Sequence, residues 1–287
     1  MLKQLLNFFI HLRLHYQFFI LSGGYLLAAL FVEDVNWTQF WLQFLNVHVL
    51  LFGGATVYNS WWDKDEGPIG GLQHPPKMEK WMWPASMILQ YAGLAWAVTV
   101  NWNFMIIYAI SMLFFWLYST PLARWKGHPI LSLIAIGVST GTNSYFLGFL
   151  AAGGYPITSF EDLIAIGVAS IILSLYPISQ IYQTKEDLER GDQTFALQYG
   201  IKAVKGLFIV LFLAGSLIIT FGLYQMNYLL GILFGITSLI ALMIIGVIII
   251  KLKGQESEYK TVMKVKLSAS LCFVLFMLGW IAKDLLH

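Results

Sequence analysis

Residues 58–80 read YNSWWDKDEGPIGGLQHPPKMEK, and they end an apolar run of helical length with a cluster of oxygen-bearing side chains. The cluster consists of Asn59, Asp63, Asp65 and Glu66, and a Gly-Pro pair then breaks the helix. Asn59 and Asp63 are four residues apart, so they share one face of a continuing helix. Oxygen ligands of this kind suit Mg²⁺, which proteins commonly hold with one or two carboxylates and the phosphates of a substrate. A solvated acidic helix end is the commoner meaning of such a cluster, so the metal hypothesis depends on the rest of the chain.

The composition is that of a polytopic membrane protein. Of the 287 residues, 58% are hydrophobic and only 11% are charged, and the mean hydropathy is +0.71. A transmembrane helix needs about 20 predominantly apolar residues. Nine segments meet or approach this length: 17–32, 38–58, 82–100, 104–120, 129–152, 161–182, 205–225, 227–250 and 265–284. We therefore expect an all-α fold, in which residues 1–287 form a single membrane domain, a bundle of nine transmembrane helices with cytoplasmic cap loops.

The basic residues indicate the orientation of this bundle. Every Lys and Arg except Lys283 precedes the first predicted span or follows an even-numbered one, whereas the alternate connections carry none. The positive-inside rule assigns the basic side to the cytoplasm. We therefore expect a multi-pass protein with its N-terminus in the cytoplasm and its C-terminus outside, in a lipid bilayer that we expect to be a bacterial inner membrane. The net charge of +2 is too small to indicate a nucleic acid partner.

The ends of the chain add two expectations. Residues 1–16 are expected to form an amphipathic helix rather than a cleavable signal, because they lack a small-residue cleavage site. The only cysteine, Cys272, lies in the last predicted span and can form no intrachain disulfide. Cysteine usage therefore gives no information on the compartment.

A polar stripe follows the second predicted span. His48, Thr56, Asn59 and Asp63 fall on one helical face at about 100° per residue. Polar residues inside a membrane normally face the bundle or a wet cavity. We therefore expect this face to point inward and to lead to the acidic cluster.

A second stripe follows the sixth predicted span. Tyr176, Gln180, Gln183 and Asp187 are spaced by four, three and four residues, which predicts one continuous helical face that ends in a carboxylate. The predicted topology places Asp187 and Asp63 at the same side of the membrane. Two acids that converge in this way indicate a shared site more strongly than either does alone.

Basic and amide side chains complete the set of candidates. Lys64 adjoins Asp63, and Arg124 and Lys126 follow the fourth predicted span. A guanidinium suits phosphate oxygens because its planar fork can bind two of them, although topology alone also favours basic residues at these positions. Asn143 lies at mid-membrane depth, and its amide is expected either to bond across helices or to face a substrate.

Three ordered motifs resemble those of the UbiA superfamily of intramembrane prenyltransferases. That family has an NDxxDxxxD motif after helix two and a DxxxD motif after helix six. Asn59, Asp63 and Lys64 match the first motif, with Lys64 where the family usually has arginine. The family's YSxP…RxK signature is similar to Tyr118-Ser119, Pro121, Arg124 and Lys126, and Asp187 matches the later acid of the second motif, with Gly191, Thr194, Ala196 and Gly200 following as in the family.

The resemblance also has departures. Ser60 replaces the aspartate after the asparagine, and Gly67 stands where the last acid of the first motif is expected, so that Asp65 or Glu66 would take its place. Gln183 occupies the position of the second motif's first aspartate. An amide has an oxygen ligand but no charge, so we expect a weaker second metal site.

The resemblance implies a function and a set of roles. It implies a Mg²⁺-dependent transferase that moves a prenyl group, an alkyl group other than methyl, from a polyprenyl diphosphate donor to a lipophilic acceptor. The implied metal ligands are Asn59, Asp63, Asp65 or Glu66, and Asp187, of which Asn59, Asp63 and Asp187 are the catalytic candidates. The implied diphosphate-binding residues are Lys64, Arg124, Lys126 and Tyr118. The implied substrate chamber includes Asn143, Tyr176, Gln180 and Gln183.

Other functions fit parts of the same pattern. A terpene cyclase of this fold would ionise the donor and close it on itself. A transporter could line a pathway with the two polar stripes, although its sites are expected at mid-depth and between repeats that this chain does not show. A non-catalytic member is made credible by Gln183. The sequence leaves open the acceptor, the donor length and the oligomeric state.

Overall fold

The computed structural model describes residues 2–64 and 67–286, and the chain is an all-helical bundle over these ranges. Asp65 and Glu66, the two candidates for a further metal ligand, lie outside the described residues. In chain order the helices are α1 (Leu2–His11), α2 (residues 14–29), α3 (Trp37–Asp63), α4 (Met82–Ala97), α5 (Trp102–Ser119), α6 (Pro129–Ala152), α7 (Ser159–Gln180), α8 (Thr184–Glu189), α9 (Phe195–Met226), α10 (Tyr228–Lys251) and α11 (Tyr259–Leu286). Within these ranges the only extended pairing is an isolated β-bridge between Ile69 and Leu72.

Seven helices of the described chain are long and apolar enough to cross a membrane. They are α3, α5, α6, α7, α9, α10 and the run Glu256–Lys283, which includes most of α11. The segments predicted at 17–32 and 82–100 are also helical, as α2 and α4, but they are shorter. The 16 residues of α4 span about 24 Å, which is less than the hydrocarbon thickness of about 30 Å. The predicted count of nine spans is therefore not confirmed.

Polar caps begin the helices that follow the connections without Lys or Arg. Asn36, Asn101 and Asn227 each accept a hydrogen bond from the backbone N–H three residues later, at 2.8–3.1 Å. Thr158 forms a capping box with Glu161 at the start of α7. These caps satisfy backbone donors that the first turn of a helix leaves unpaired, so these connections can be very short.

Small residues bring α2 close to α6 and α7 in the core of the bundle. A Cβ atom on Gly148 of α6 would overlap the backbone of Tyr25 of α2. A Cβ atom on Gly24 would overlap the side chains of Ser144 and Val168. Tyr25 is fully buried here, and its hydroxyl donates a hydrogen bond to the carbonyl of Phe40 at 2.7 Å. Close packing of this kind depends on the absence of side chains at the contact.

The connection between α3 and α4, residues 67–81, is called the cap loop below. Its backbone carbonyls accept hydrogen bonds of 2.8–3.3 Å from the side chains of His11, Arg13, His15, Gln183 and Tyr259. These side chains come from both ends of the chain and from the segment before α8. Burial lowers the pKa of His11, which favours the neutral ring that donates to Pro76. The cap loop is therefore held across one end of the bundle.

Candidate active site

A cavity of about 420 Å³ lies between the helices, under the cap loop. Charged side chains line its mouth, among them Asp63, Lys126, Asp187 and Lys266. Ile69 and Gly70 of the cap loop contribute to the same wall. Its deeper part is apolar and aromatic, with Phe52, Phe115, Phe212, Phe234, Phe273 and Phe276. A volume of this size and a polar mouth above an apolar interior are typical of a site for an amphiphilic ligand.

Most of the residues predicted for the site line this cavity. From the predicted metal and diphosphate sets these are Asn59, Asp63, Asp187, Lys126 and Tyr118. From the predicted chamber they are Tyr176, Gln180 and Gln183. Lys64, Arg124 and Asn143 are not among the lining residues.

The last two turns of α3 position Asn59 and Asp63. Both residues face the cavity, as their spacing of four predicts. The Asn59 amide donates a hydrogen bond to Ser119 Oγ at 3.1 Å, which turns its carbonyl oxygen the other way. The helix ends at Asp63 because Lys64 adopts a left-handed conformation, with φ of 50°. Lys64 itself is exposed and does not line the cavity.

His48 does not belong to the same face as Asn59 and Asp63. The middle of α3, Asn46–Gly53, is a π-helical stretch, and its wider turns shift the helical register between His48 and Thr56. The ring of His48 lies instead among aromatic residues, with its centroid 4.1 Å from that of Phe44, and Nδ1 donates a hydrogen bond to the Phe44 carbonyl. The single stripe predicted along the second span is therefore wrong at its inner end.

Asp63 is paired with Lys126. The Lys126 ammonium contacts Oδ1 of Asp63, and the two side chains are only 10% and 7% exposed. Burial lowers the pKa of Lys126 to about 8, because desolvation of the ammonium outweighs the attraction of Asp192 and Asp187. The candidate ligand of α3 is thus already neutralised by a cation from the segment after α5.

Arg124 forms a two-point ion pair with Asp192. Its Nε and Nη2 donate to the two oxygens of Asp192 at 2.6 and 2.8 Å. Asp192 is 5% exposed and lines the cavity, whereas Arg124 does not. The backbone N–H of Gln193 also donates to the carbonyl of Gly127 at 2.8 Å. These contacts join the segment after α5 to the segment after α8.

Asp187 reaches the cavity from α8 by a different path from the one predicted. Tyr176, Gln180, Gln183 and Asp187 were predicted on one continuous helix. The last turn of α7, Pro177–Gln180, is instead a 3-10 turn, and α8 begins only at Thr184. Pro177 lacks a backbone N–H and cannot continue the α-helical hydrogen bonding, which accounts for the break. All four side chains nevertheless line the same cavity.

Specific hydrogen bonds hold the polar side chains of the cavity wall around Asp187. Asp187 Oδ2 accepts from the hydroxyl of Thr194 at 3.2 Å, and burial raises the pKa of Asp187 to about 6. Gln183 donates to the carbonyl of Pro68 in the cap loop at 3.3 Å. Tyr118 and Tyr176 share a hydrogen bond of 3.1 Å between their hydroxyls. The wall therefore joins α5, α7, α8 and the cap loop.

Asn143 bonds across helices. Its amide donates to Ser111 Oγ at 2.9 Å and to the carbonyl of Ile107 at 3.4 Å, both on α5. This is the first of the two roles that its depth in the membrane predicts. Asn143 stabilises the contact between α6 and α5 and is not part of the chamber wall.

The carboxylates of the cavity suit a metal that a ligand helps to hold. In the described part of the chain, no group of three or more His, Cys, Asp or Glu residues is arranged to hold an ion. Asn59, Asp63 and Asp187 nevertheless line one cavity with hard oxygen donors. Such a set fits Mg²⁺, which commonly takes one or two carboxylates and completes its shell with phosphate oxygens and water.

Several cavity residues were not predicted as site residues. Asp192 follows Gly191, whose φ of 75° turns the chain after α8, so helical spacing from Asp187 could not place it. Arg13 donates to Ser60 Oγ at 2.7 Å, and Lys266 donates to the hydroxyl of Tyr16 at 2.9 Å. In the sequence, the positive-inside rule alone accounted for Arg13 and Lys266, so neither was predicted to belong to the site. The only signal in the sequence was the density of basic residues beside the first and last spans.

The chain matches a known family model and several solved structures. The model for the UbiA prenyltransferase family matches residues 18–270. A UbiA homolog from Archaeoglobus fulgidus bound to DMAPP and Mg²⁺ has a TM-score of 0.73 at 15% identity, and the same homolog bound to GPP and Mg²⁺ has a TM-score of 0.70 at 15% identity. A structure of digeranylgeranylglyceryl phosphate synthase has a TM-score of 0.58 at 18% identity. Each match covers 96% of this chain and 99% of the other.

At these identities the structural likeness shows the fold. No curated protein sequence matches the chain. The family assignment therefore depends on the family model, which covers most of the chain.

Proposed function

The chain belongs to the UbiA prenyltransferase family, and on that premise we propose that it is a Mg²⁺-dependent intramembrane prenyltransferase. The donor is a polyprenyl diphosphate and the acceptor is a lipophilic molecule. The observation that carries this proposal is the position of Asn59, Asp63 and Asp187 at the mouth of an apolar, aromatic cavity. The related A. fulgidus structures bound to DMAPP or GPP together with Mg²⁺ support the same class of donor and cofactor.

The proposed diphosphate site is at the charged mouth. Asn59, Asp63 and Asp187 would hold Mg²⁺, with Asp65 or Glu66 as a further ligand predicted from the sequence. Bound Mg²⁺ supplies positive charge that stabilises the departing diphosphate. Lys126 would then contact phosphate oxygens, because a ligand that engages Asp63 competes for the carboxylate that Lys126 now pairs with. Arg124 would act less directly, by holding Asp192 at the mouth.

The apolar part of the cavity would hold the prenyl chain and the reacting carbon. The allylic carbon–oxygen bond breaks and its electron pair leaves with the diphosphate. A nucleophilic atom of the acceptor then bonds to the allylic carbon and gives up a proton. Phe115, Phe212 and Phe273 line this region and can stabilise a cation through their ring faces while they exclude water.

We also propose a membrane placement. The polar mouth of the cavity lies among the Lys- and Arg-bearing connections, so the positive-inside rule places it at the cytoplasmic face. The N-terminus is then cytoplasmic, and a bacterial inner membrane remains the expected location. In this arrangement α2 and α4 would complete nine spans despite their shorter length, with tilt or local thinning of the bilayer.

Product analysis tests the proposed function. Purified protein is incubated with Mg²⁺, prenyl diphosphates of several lengths and a membrane lipid extract, and the products are identified by mass spectrometry. Release of diphosphate together with a prenylated lipid is the expected result. Release with only a cyclic hydrocarbon would instead identify a terpene cyclase. Absence of any release from folded protein would contradict both enzymatic functions.

Matched variants connect the product to the site. Asp63→Asn and Asp187→Asn keep side-chain size but remove a metal-binding charge, so turnover should fall by about 10²- to 10³-fold. Glu189→Gln makes the same chemical change on the exposed side of α8 and should leave turnover unchanged. Near-normal turnover in Asp63→Asn would rule out the role assigned to that residue.

A further inference from the structure

Lys266 places a buried ammonium group on the cavity wall, near the start of α11. The residue is 6% exposed, and its Nζ donates a hydrogen bond to the hydroxyl of Tyr16 at 2.9 Å. Tyr16 belongs to α2 and also lines the cavity. The pair therefore joins α2 and α11 at the charged mouth.

Lys266 differs from Lys126 and Arg124 in its partner among the described residues, which is a hydroxyl and not a carboxylate. Lys126 is paired with Asp63 and Arg124 with Asp192, whereas none of the described carboxylates forms an ion pair with Lys266. A buried ammonium is costly unless it is paired or hydrogen-bonded. An ammonium has three N–H donors and Tyr16 accepts one of them. The position is therefore suited to an anion that enters from the cavity.

The residues that follow on α11 show where the rest of such a ligand would lie. Ala269, Ser270, Phe273 and Phe276 line the cavity at successive turns after Lys266. This row leads from the charged mouth into the aromatic interior. A molecule whose anionic group contacts Lys266 would therefore extend its apolar body toward the region proposed for the reacting carbon.

Two parts of the substrates carry a negative charge, namely the diphosphate of the donor and any acidic group of the acceptor. The diphosphate is already assigned to Lys126 and to the Mg²⁺ that Asp63 and Asp187 would hold. Among the described residues, neither Lys266 nor Tyr16 forms a hydrogen bond or an ion pair with Asp63, Asp187 or Lys126, which have partners of their own. Lys266 and Tyr16 therefore form a distinct pair at the mouth, between α11 and α2.

We infer that Lys266 and Tyr16 bind an anionic group, a carboxylate or a phosphate, of the acceptor. The acceptor is then an amphiphilic acid rather than a neutral lipid. This inference rests on the proposed function for the identity of the ligand as an acceptor, but the anion site itself can be tested without catalysis.

The test uses Cys272, which is the only cysteine and lines the same cavity. Cys272 is six residues beyond Lys266, or about 9 Å along the helix axis. Protein in nanodiscs is treated with a maleimide in the presence of dodecanoate or methyl dodecanoate. The two probes have the same chain and differ in charge. We expect dodecanoate to protect Cys272 at about tenfold lower concentration than the ester, because only dodecanoate can form a charge-assisted hydrogen bond with Lys266.

Variants test whether the stronger protection of Cys272 by dodecanoate depends on Lys266. Lys266→Met should abolish the advantage of dodecanoate, and Lys266→Arg should retain most of it. Lys264→Met, on the exposed side of the same helix, should leave it unchanged. Tyr16→Phe provides a second variant that preserves packing, and it should weaken protection by dodecanoate but not by the ester. Equal protection by the two probes in the unmodified protein would overturn the anion site.

Calorimetry with GPP and Mg²⁺ separates the two sources of negative charge. Affinity for GPP should stay within about twofold in Lys266→Met if the site serves the acceptor. A tenfold loss of GPP affinity would assign Lys266 to the donor diphosphate and overturn the inference. Failure of GPP to bind the unmodified protein would count against the proposed function alone, because the probe comparison does not involve the donor.

Discussion

The carboxylate of Asp63 and the ammonium of Lys126 lie in contact across the mouth of the cavity, joining the end of α3 to the segment after α5. Both side chains are at most 10% exposed. In a buried ion pair, the attraction between the two charges offsets the cost of removing them from water. Removal of one partner therefore leaves an uncompensated buried charge. We therefore expect loss of either partner alone to destabilise the ligand-free protein, and under the proposed function the same two residues take part in donor binding.

A double-mutant cycle can separate these two contributions. Lys126→Met leaves the Asp63 carboxylate without its partner and should lower the free energy of unfolding by about 3–5 kcal/mol. Adding Asp63→Asn removes the stranded charge and should recover much of that loss of stability, while turnover stays at least as low as in Asp63→Asn alone. Thermal denaturation in detergent, calibrated with the exposed control Lys185→Met, provides the measurement. Losses that simply add in the double variant would show that the contact does not stabilise the fold.

Gln183 provides a test of the departure from the family's second motif. It lies before α8, one turn from Asp187, and lines the cavity. Gln183→Asp adds a negative ligand and should lower the Mg²⁺ concentration for half-maximal activity several-fold. The change also removes the hydrogen bond to Pro68 of the cap loop. A Mg²⁺ titration of both proteins measures the effect.

The opposite result for Gln183 would also be informative. If its amide donates to a substrate oxygen, the new carboxylate repels that oxygen and activity falls at every Mg²⁺ concentration. An unchanged titration curve with unchanged activity would place residue 183 outside the site and would contradict the alignment of the second motif.

Glycine substitutions should show where the bundle is closely packed. Gly148→Ala places a methyl group against the backbone of Tyr25, so α2 and α6 must separate, and we expect a loss of about 1–3 kcal/mol. Gly246→Ala in α10 meets no atom within 4 Å and should be neutral or stabilising, because alanine favours the helix. Thermal unfolding of the two variants measures the difference. Equal midpoints would contradict the close contact of α2 and α6 in the structure.

Accessibility of introduced cysteines tests the membrane placement. In a Cys272→Ala background, cysteines at the exposed positions Lys77 and Lys202 should react with an impermeant maleimide from the cytoplasmic side. Cysteines at Asn101 and Gln225, which are also exposed, should react from the other side. Inverted and right-side-out vesicles give the two conditions. Labelling of Lys77 and Lys202 from opposite faces would contradict the shared site.

Hydropathy and helical spacing were sufficient to predict the helical segments of this protein and several of the side chains that line its cavity. Runs of apolar residues predict spans because the bilayer demands about 20 of them, and Asn59 and Asp63 share a face because four residues make about one turn. The alternation of basic connections predicted that Asp63 and Asp187 lie at one end of the bundle, and both do line one cavity. These properties are local or cumulative along the chain, so they can be read without knowing which helices are neighbours.

The partners of the charged groups were decided only by the tertiary structure. Lys126 meets Asp63 and Arg124 meets Asp192 because the segments after α5 and α8 pack beside the end of α3. Lys266 reaches the hydroxyl of Tyr16 although 250 residues separate them in the chain. No periodicity relates such positions. Their contact depends on the turns at Pro177 and Gly191 and on the packing of the helices, which the energy of the whole bundle determines.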